Sequence, residues 1–232
     1  MINKINVDKL YQTYTDNVPF DHVIIDDFWE ESIANEIVKE MNDMPKQGMV
    51  TRYNSPLENK ITIPHWDMFR ETTYQAFTYL NHEFLDIIYK MTNISDLKPD
   101  IGLHGGGVHF HPTGGNLNLH KDYSIHPKLG MMRKLNLIIY MNPIWQDDWH
   151  GHLEFWSHDK ENNAPKECKI KILPKFNRAV LFDAYILTQH FGYKPAYYYD
   201  TAAMSRGLYP NMSARLKDCC VREFPNDETM RK

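Results

Sequence analysis

The apolar positions of this chain change period near residue 99, and the change separates a helical half from a half built of short strands. Residues 1–18 are polar and mixed, suiting a loosely held arm or a short helix. Residues 19–28 (PFDHVIIDDF) carry a β-branched run bounded by acids and read as a strand. In 29–44, Ile33, Ile37, Val38 and Met41 recur at helical steps, which predicts an amphipathic helix. The pattern then lapses over 45–64, where Gly48, Asn54, Pro56 and Asn59 mark a loop long enough to carry function. Between 66 and 92, Phe69, Tyr74, Phe77, Leu80, Phe84, Leu85, Ile88 and Met91 return to helical spacing, as one long helix or two short ones. An aromatic stripe at that spacing reads as core.

Beyond residue 99, short apolar runs alternate with Gly, Pro and Asn turns. The runs fall at 101–104, 108–111, 116–122, 134–141, 152–156, 169–173, 179–182 and 187–191. Regularly spaced short strands indicate an antiparallel sandwich or barrel. Helices first and strands after predict an α+β, mainly β chain. The expected architecture is a double-stranded β-helix, the jelly-roll or cupin-like form, over 99–224, with mainly helical support from 1–98. Residues 1–232 then make one domain, since 42% hydrophobic content over 232 residues supports one well-buried core and is short for two.

Charge and cysteines narrow the partners. A net charge of −4 gives no electrostatic reason for tight binding to a phosphate backbone, so nucleic acid is not favoured. Three cysteines, Cys168, Cys219 and Cys220, cannot all pair within the chain, and their spacing does not suggest zinc; buried thiols in a reducing cytosol are expected. No signal-like N-terminus or run of 18 apolar residues is present, which predicts a soluble cytoplasmic protein with no membrane contact. The sequence leaves the oligomeric state open.

Candidate chemistry centres on NLNLHKD, residues 116–122. In an extended strand, residues i and i+2 share a face about 6.6–6.8 Å apart, so the His120 imidazole and Asp122 carboxylate can converge on one metal ion. His190, in QHFGY, follows an apolar run and supplies a third ligand. Two histidines and one carboxylate form the facial triad that holds non-haem Fe(II) with three positions open. His109 and His111 form an HxH without a Glu at ligand spacing. His126 beside Pro127 reads as turn structure, and Arg178 as a partner in a structural ion pair or a backbone hydrogen bond.

The motif order adds specificity. GGGVHFHPTGGNLNLHKDYSIHP is followed by RKLNLIIYMNPIW, HGHLEFW, KILPKFNRAVLF and QHFGY. From about residue 19 to 190 this succession resembles the prolyl-4-hydroxylase-like 2-oxoglutarate/Fe(II) oxygenases of bacteria and bacteriophages. Their pattern has a Gly-rich approach, His-x-Asp, an RxLNLxxYLN strand, GGxLELW, PxFNRxVxF and a distal His. The resemblance implies Fe(II), the cosubstrate 2-oxoglutarate and O2, with succinate and CO2 released as an unactivated C–H bond is hydroxylated. The expected substrate is an amino-acid side chain such as a prolyl residue in a peptide or protein. The alternatives are the same chemistry on a nucleobase or small metabolite, or a jelly roll that binds metal without turnover.

The far carboxylate of 2-oxoglutarate needs a fixed cation, and the planar Arg fork suits it. Arg206, in MSRGLY, lies close to the family's Ser-Arg signature and is favoured over Arg215, which precedes a better strand. Tyr140 matches the family tyrosine that donates to the same carboxylate. Period two places Asn136 and Ile138 on its face, so Asn136 is expected to line the pocket. The loop at 44–64 and the Tyr-rich stretch 193–204 are candidate lids.

Overall fold

Helical spacing in the first half becomes four α-helices among the residues described by the computed structural model, which are 1–44, 50–120, 122–159, 161 and 164–184. They are α1 (Val7–Asp16), α2 (Glu31–Asp43), α3 (Glu71–Asn81) and α4 (Glu83–Thr92). The polar N-terminal stretch is therefore a helix, opened by Asn6, whose side chain accepts the Lys9 N–H at 3.0 Å. The 66–92 stretch divides into two helices at His82, which lies outside helical geometry. Its stripe is core only in part. Phe84, Ile88 and Met91 are buried, but Tyr74 is exposed.

The described strands are β1 (His22–Ile25), β2 (Thr51–Asn54), β3 (Asn59–Ile63), β4 (Val108–Phe110), β5 (Leu135–Tyr140), β6 (Leu153–Asp159), β7 (Ala164–Ile172) and β8 (Arg178–Asp183). They form three antiparallel sheets, ordered β1-β8-β5, β2-β3-β4 and β6-β7. This mixed α/β arrangement of small sheets does not by itself establish the expected double-stranded β-helix. One face of β1-β8-β5 takes the main core, with Ala34, Ile37, Ala76, Phe84, Ile88 and Met91 closing over Val23, Ile25, Ala179 and Leu181. On the other face, Phe155 of β6 meets Phe182 at 5.0 Å and His22 at 5.6 Å, so the β6-β7 hairpin lies against this sheet.

Three local expectations are corrected. Residues 101–104 are a turn, because the Asp100 carboxylate accepts the backbone N–H groups of Gly102 and His104 at 3.1 and 2.7 Å, curling the chain on itself. The loop expected over 45–64 contains the β2-β3 hairpin within its described residues 50–64. Asn54, Pro56 and Asn59 belong to or flank its turn, and the Ser55 hydroxyl accepts the N–H groups of Leu57 and Glu58. The described part of 116–122 is not a strand. Leu117 makes only an isolated bridge with Glu58, while the Asn116 and Asn118 amides donate to the Pro56 carbonyl. Leu117 and Leu119 are exposed, so no apolar burial favours a ladder there. The run at 187–191 and the 193–204 stretch lie outside the described residues.

Asn177 locks the sheet to the helical layer. It sits at φ +57°, a conformation Asn tolerates better than most residues. Its side chain accepts the Trp29 N–H at 2.9 Å and donates to the Trp29 carbonyl at 2.8 Å, imitating a strand pair. Arg178 beside it clasps Asp26 through Nε at 2.6 Å and Nη2 at 2.9 Å and donates to the Leu173 carbonyl, both interactions expected of it.

Helix α3 begins without a side-chain cap of its own. Glu40 of α2 supplies one, accepting the N–H groups of Thr72 and Thr73 at 2.9 and 2.7 Å and the Thr73 hydroxyl at 2.7 Å. Burial would raise its carboxyl, but the bonds from Thr73 and Thr72 outweigh that and hold it below its usual 4.5. Glu40→Gln is expected to destabilise the fold by about 1.5–3 kcal/mol at neutral pH. Because the folded value is depressed, this contribution is present above pH 4.5 and lost as pH falls through the folded value. Chemical denaturation of both proteins at neutral and acidic pH checks the difference and its decline.

Candidate metal site

The site is assembled from a loop, a strand and a hairpin. The loop reaches it through the Gly-rich approach. Gly107 has φ +88°, and a Cβ there would lie 2.3 Å from the Ile63 carbonyl oxygen, so only Gly allows β3 and β4 to meet as they do. Further along, Asn59 N–H donates to the Asn116 carbonyl and Asn118 N–H to the Leu57 carbonyl, pinning the loop to the β2-β3 turn.

His120 follows from that anchored backbone. Its Nδ1 lies 2.7 Å from the Asn118 carbonyl, and since a carbonyl only accepts, Nδ1 carries the proton of that bond. The other nitrogen, Nε2, faces Asp122 Oδ1 at 3.5 Å. Strand geometry was not needed to bring the two side chains together; the backbone contact of His120 and the partners of Asp122 do it.

Asp122 is held from its other side. The Asn136 amide donates to Asp122 Oδ2 at 3.0 Å, and Arg133 Nη2 stands 3.4 Å from the same oxygen. Arg133 in turn donates from Nε to Asn136 Oδ1 at 2.8 Å, with Nη2 also on that oxygen. Its guanidinium lies 4.9 Å over the Tyr123 ring, and the Tyr123 hydroxyl donates to the His104 carbonyl at 2.8 Å. Interaction with His120, aided by the Arg133 charge and the Asn136 amide, outweighs burial and holds the Asp122 carboxyl at about 2, below its usual 3.8. Asp122 raises His120 reciprocally, against burial.

This donor set fits a divalent cation. A carboxylate and an imidazole nitrogen face each other across a gap too wide for a good hydrogen bond, and the remaining polar atom of each is occupied by protein. Two ligands each roughly 2.1 Å from one ion at right angles stand about 3 Å apart, near the spacing seen. Among the described residues no three His, Cys, Asp or Glu side chains are grouped to hold a metal, so the pair needs a donor from elsewhere. His190, the expected third ligand, lies outside the described residues, as do Arg206 and Arg215.

Tyr140 and Asn136 point to the same face of β5, with Ile138 between them and Leu135, Leu137 and Ile139 turned to the helical core. Burial pushes the Tyr140 phenol above its usual range, against the Arg178 charge, so it is a neutral hydrogen-bond donor at physiological pH. Three other histidines make contacts within the fold. His109 Nε2 donates to the Gly106 carbonyl at 3.2 Å, and His126 Nδ1 accepts the N–H groups of Lys128 and Leu129, closing a turn. His152 lies 2.9 Å from Asp147. Cys168 is a half-buried free thiol; Cys219 and Cys220 lie outside the described residues. The sequence reading singled out neither Arg133 nor the Asn118 carbonyl. The available signal was the Arg three residues ahead of Asn136, at the mouth of the strand.

Comparison with known families places these positions in a wider group. The model of the 2OG-Fe(II) oxygenase superfamily matches residues 106–196, less than half of the chain, a span that holds His120, Asp122, Asn136, Tyr140 and His190. The match supports assignment to that superfamily and a dioxygenase function in general, without singling out its prolyl-4-hydroxylase-like branch. It implies Fe(II), 2-oxoglutarate and O2 as cofactor and cosubstrates, and a jelly-roll fold. Comparison with curated proteins returns no match. No described helix is long and apolar enough to cross a membrane.

Burial, and then the Lys60 charge, lower the His109 imidazole to about 4, so it is neutral near pH 7. As pH falls from the usual 6.5, the unfolded chain takes up this proton before the folded one, and stability is lost down to about pH 4. His109→Gln is expected to flatten the stability profile in that window. Thermal unfolding between pH 4 and 7 measures it, and an unchanged slope would contradict the assignment.

Proposed function

We propose that this chain is an Fe(II)- and 2-oxoglutarate-dependent dioxygenase that hydroxylates an unactivated C–H bond of an amino-acid side chain, such as peptidyl proline, releasing succinate and CO2. One observation carries the reading: His120 and Asp122 present one free donor each to a common point while the protein occupies their other polar atoms. His190 completes the triad. The succession of motifs around it, which resembles the prolyl-4-hydroxylase-like enzymes, favours a peptide or protein substrate over a small metabolite.

When bound, iron and 2-oxoglutarate supply the oxidising power, and the side chains of this chain bind, orient and shield. Arg206, or Arg215 in its place, holds the far carboxylate of 2-oxoglutarate through its planar fork. Tyr140, kept a neutral phenol by burial, donates to the same carboxylate. Asn136 lines the pocket and steadies Asp122. Between Asn136 and Tyr140, Ile138 and the paired Val180 give the wall an apolar stretch that keeps water out. One jelly-roll domain over 1–232 accommodates these parts, and the tilted ring contact of Phe155 with Phe182 supports two facing β layers. A reducing cytoplasm suits a ferrous site.

Succinate formation from 2-oxoglutarate with Fe(II) and O2 tests the reading. His120→Ala and Asp122→Ala are each expected to reduce it by more than about 100-fold, beyond what loss of a ligand's outer partner costs. Retained turnover in both variants rejects the assignment; iron and 2-oxoglutarate bound with no succinate under any substrate favours a binding protein. Tyr140→Phe is expected to raise KM for 2-oxoglutarate about 3- to 10-fold with kcat little changed. Mass analysis of candidate peptides, nucleobases and metabolites identifies the substrate class.

A further inference from the structure

Asn136 carries an amide whose two ends are opposite in character, one accepting and one donating. Which end faces Asp122 decides whether the contact attracts or repels. The groups on either side settle it. A guanidinium has only donors and an ionised carboxylate only acceptors, so the amide between Arg133 and Asp122 is satisfied in one orientation, Oδ1 to Arg133 and Nδ2 to Asp122. The alternative rotamer would set Oδ1 against Asp122 Oδ2 and Nδ2 against the guanidinium, a clash of like dipoles on both sides. Asn136 is 8% exposed, so water does little to relieve it.

Arg133 is itself oriented. Its fork reaches Asn136 through two nitrogens, and its plane lies on Tyr123, which is tied through its hydroxyl to the 100–107 loop by way of His104. A flexible ammonium at this position has no plane to stack and no fork to span the amide oxygen.

We propose that Arg133 is a positioning residue that fixes the Asn136 amide, and that the fixed amide occupies Asp122 Oδ2 so that Oδ1 alone is presented to the metal. This rests on the reading of His120 and Asp122 as metal ligands, and it adds a residue that touches neither the metal position nor a substrate. Two contacts converge on Oδ2, from Asn136 at 3.0 Å and Arg133 at 3.4 Å, while Oδ1 is the oxygen that faces His120. The carboxylate is thereby divided, one oxygen for the protein and one for the cation. Arg133 acts mainly through Asn136, because the shorter contact to Asp122 is the amide's.

The test is a double-mutant cycle read as the Co(II) dissociation constant of the full chain, with Co(II) standing in for iron and its visible absorption reporting the ligand geometry. Arg133→Met and Asn136→Leu are each expected to weaken binding about 10- to 100-fold. Arg133→Met added to Asn136→Leu is expected to cost less than about a third of what Arg133→Met costs alone, since the arginine then has no amide to orient and keeps only its longer contact to Asp122. Arg133→Lys, which keeps the charge and loses the fork, is expected to fall between wild type and Arg133→Met, and thermal unfolding of each variant identifies any that fails to fold. Wild-type affinity in Arg133→Met or Arg133→Lys overturns the proposal, as does the full Arg133→Met loss recurring when that change is added to Asn136→Leu. His120→Ala and Asp122→Ala serve as separate controls. If they bind Co(II) as wild type does, the ligand assignment itself fails; if they lose it while the Arg133 variants do not, only the role of Arg133 fails.

Discussion

The register between β5 and β8 governs the strand side of the site. Six consecutive pairs, from Leu135 with Asp183 to Tyr140 with Arg178, set which side of β5 each residue takes. In that register Leu135, Leu137 and Ile139 enter the helical core, and Asn136, Ile138 and Tyr140 turn the other way. A strand alternates with period two, so a slip of one residue would bury Asn136 among aliphatic side chains and bring a leucine to Asp122. The buried faces of Val23, Ala179 and Leu181 hold the register from the core side. Asn177 holds it from the end, donating its N–H to the Tyr140 carbonyl while its side chain clasps Trp29. Aliphatic packing behind the sheet therefore places a polar amide in front of it.

The loop bearing His120 is held by a different kind of force. It has no ladder and little apolar burial, and its contacts are single hydrogen bonds to the β2-β3 turn. Such bonds contribute about 1 kcal/mol each, but several acting on five residues fix a backbone that has few alternatives once Gly115 has turned it. Gly115 makes that turn against close neighbours, with a Cβ there only 2.8 Å from the Pro112 carbonyl oxygen. The imidazole then takes its tautomer from the Asn118 carbonyl rather than from any distant partner. An imidazole aimed by its own loop and a carboxylate aimed by a strand thus meet, and each is oriented through the atom that faces away from the other.

How much of this was legible in the sequence follows from the range of the interactions involved. The approach of His120 to Asp122 was readable from their spacing, although the described residues of 116–122 do not form the strand expected to carry them. Asn136 was readable from the period-two face it shares with Tyr140. Arg133 was not, since its role appears only when Asp122, eleven residues earlier, and Tyr123 are brought against the mouth of β5. The strand expected at 116–122 failed because the Asn side chains bond to backbone and so compete with ladder formation. Likewise, Asp100 turned the expected strand at 101–104 into a turn by accepting two backbone N–H groups. The β2-β3 hairpin escaped notice because its one alternating apolar stretch, Ile61 to Ile63, is only three residues long and is set among Asn54, Pro56, Asn59 and Pro64, which read as loop. The helices were the easier half, although Tyr74 shows that aromatic spacing does not guarantee burial.

The span matched by the superfamily begins at residue 106, yet the geometry of the site begins much earlier in the chain. β8, inside the matched span, is the central strand of its sheet, and its outer neighbour is β1 (His22–Ile25). The loop carrying His120 is moored to the turn at 55–58, and β4 pairs with β3. Without the N-terminal residues, β8 would be left with an open edge, and the His120 loop would lose the carbonyls that hold Asn116 and Asn118. The chemistry-bearing segment is therefore not self-supporting. His120 and Asp122 are separated by one residue in sequence, but the loop that presents His120 is held by contacts reaching back to the first quarter of the chain. Variation in that N-terminal portion thus acts on the His120 and Asp122 pair through the backbone of 116–120.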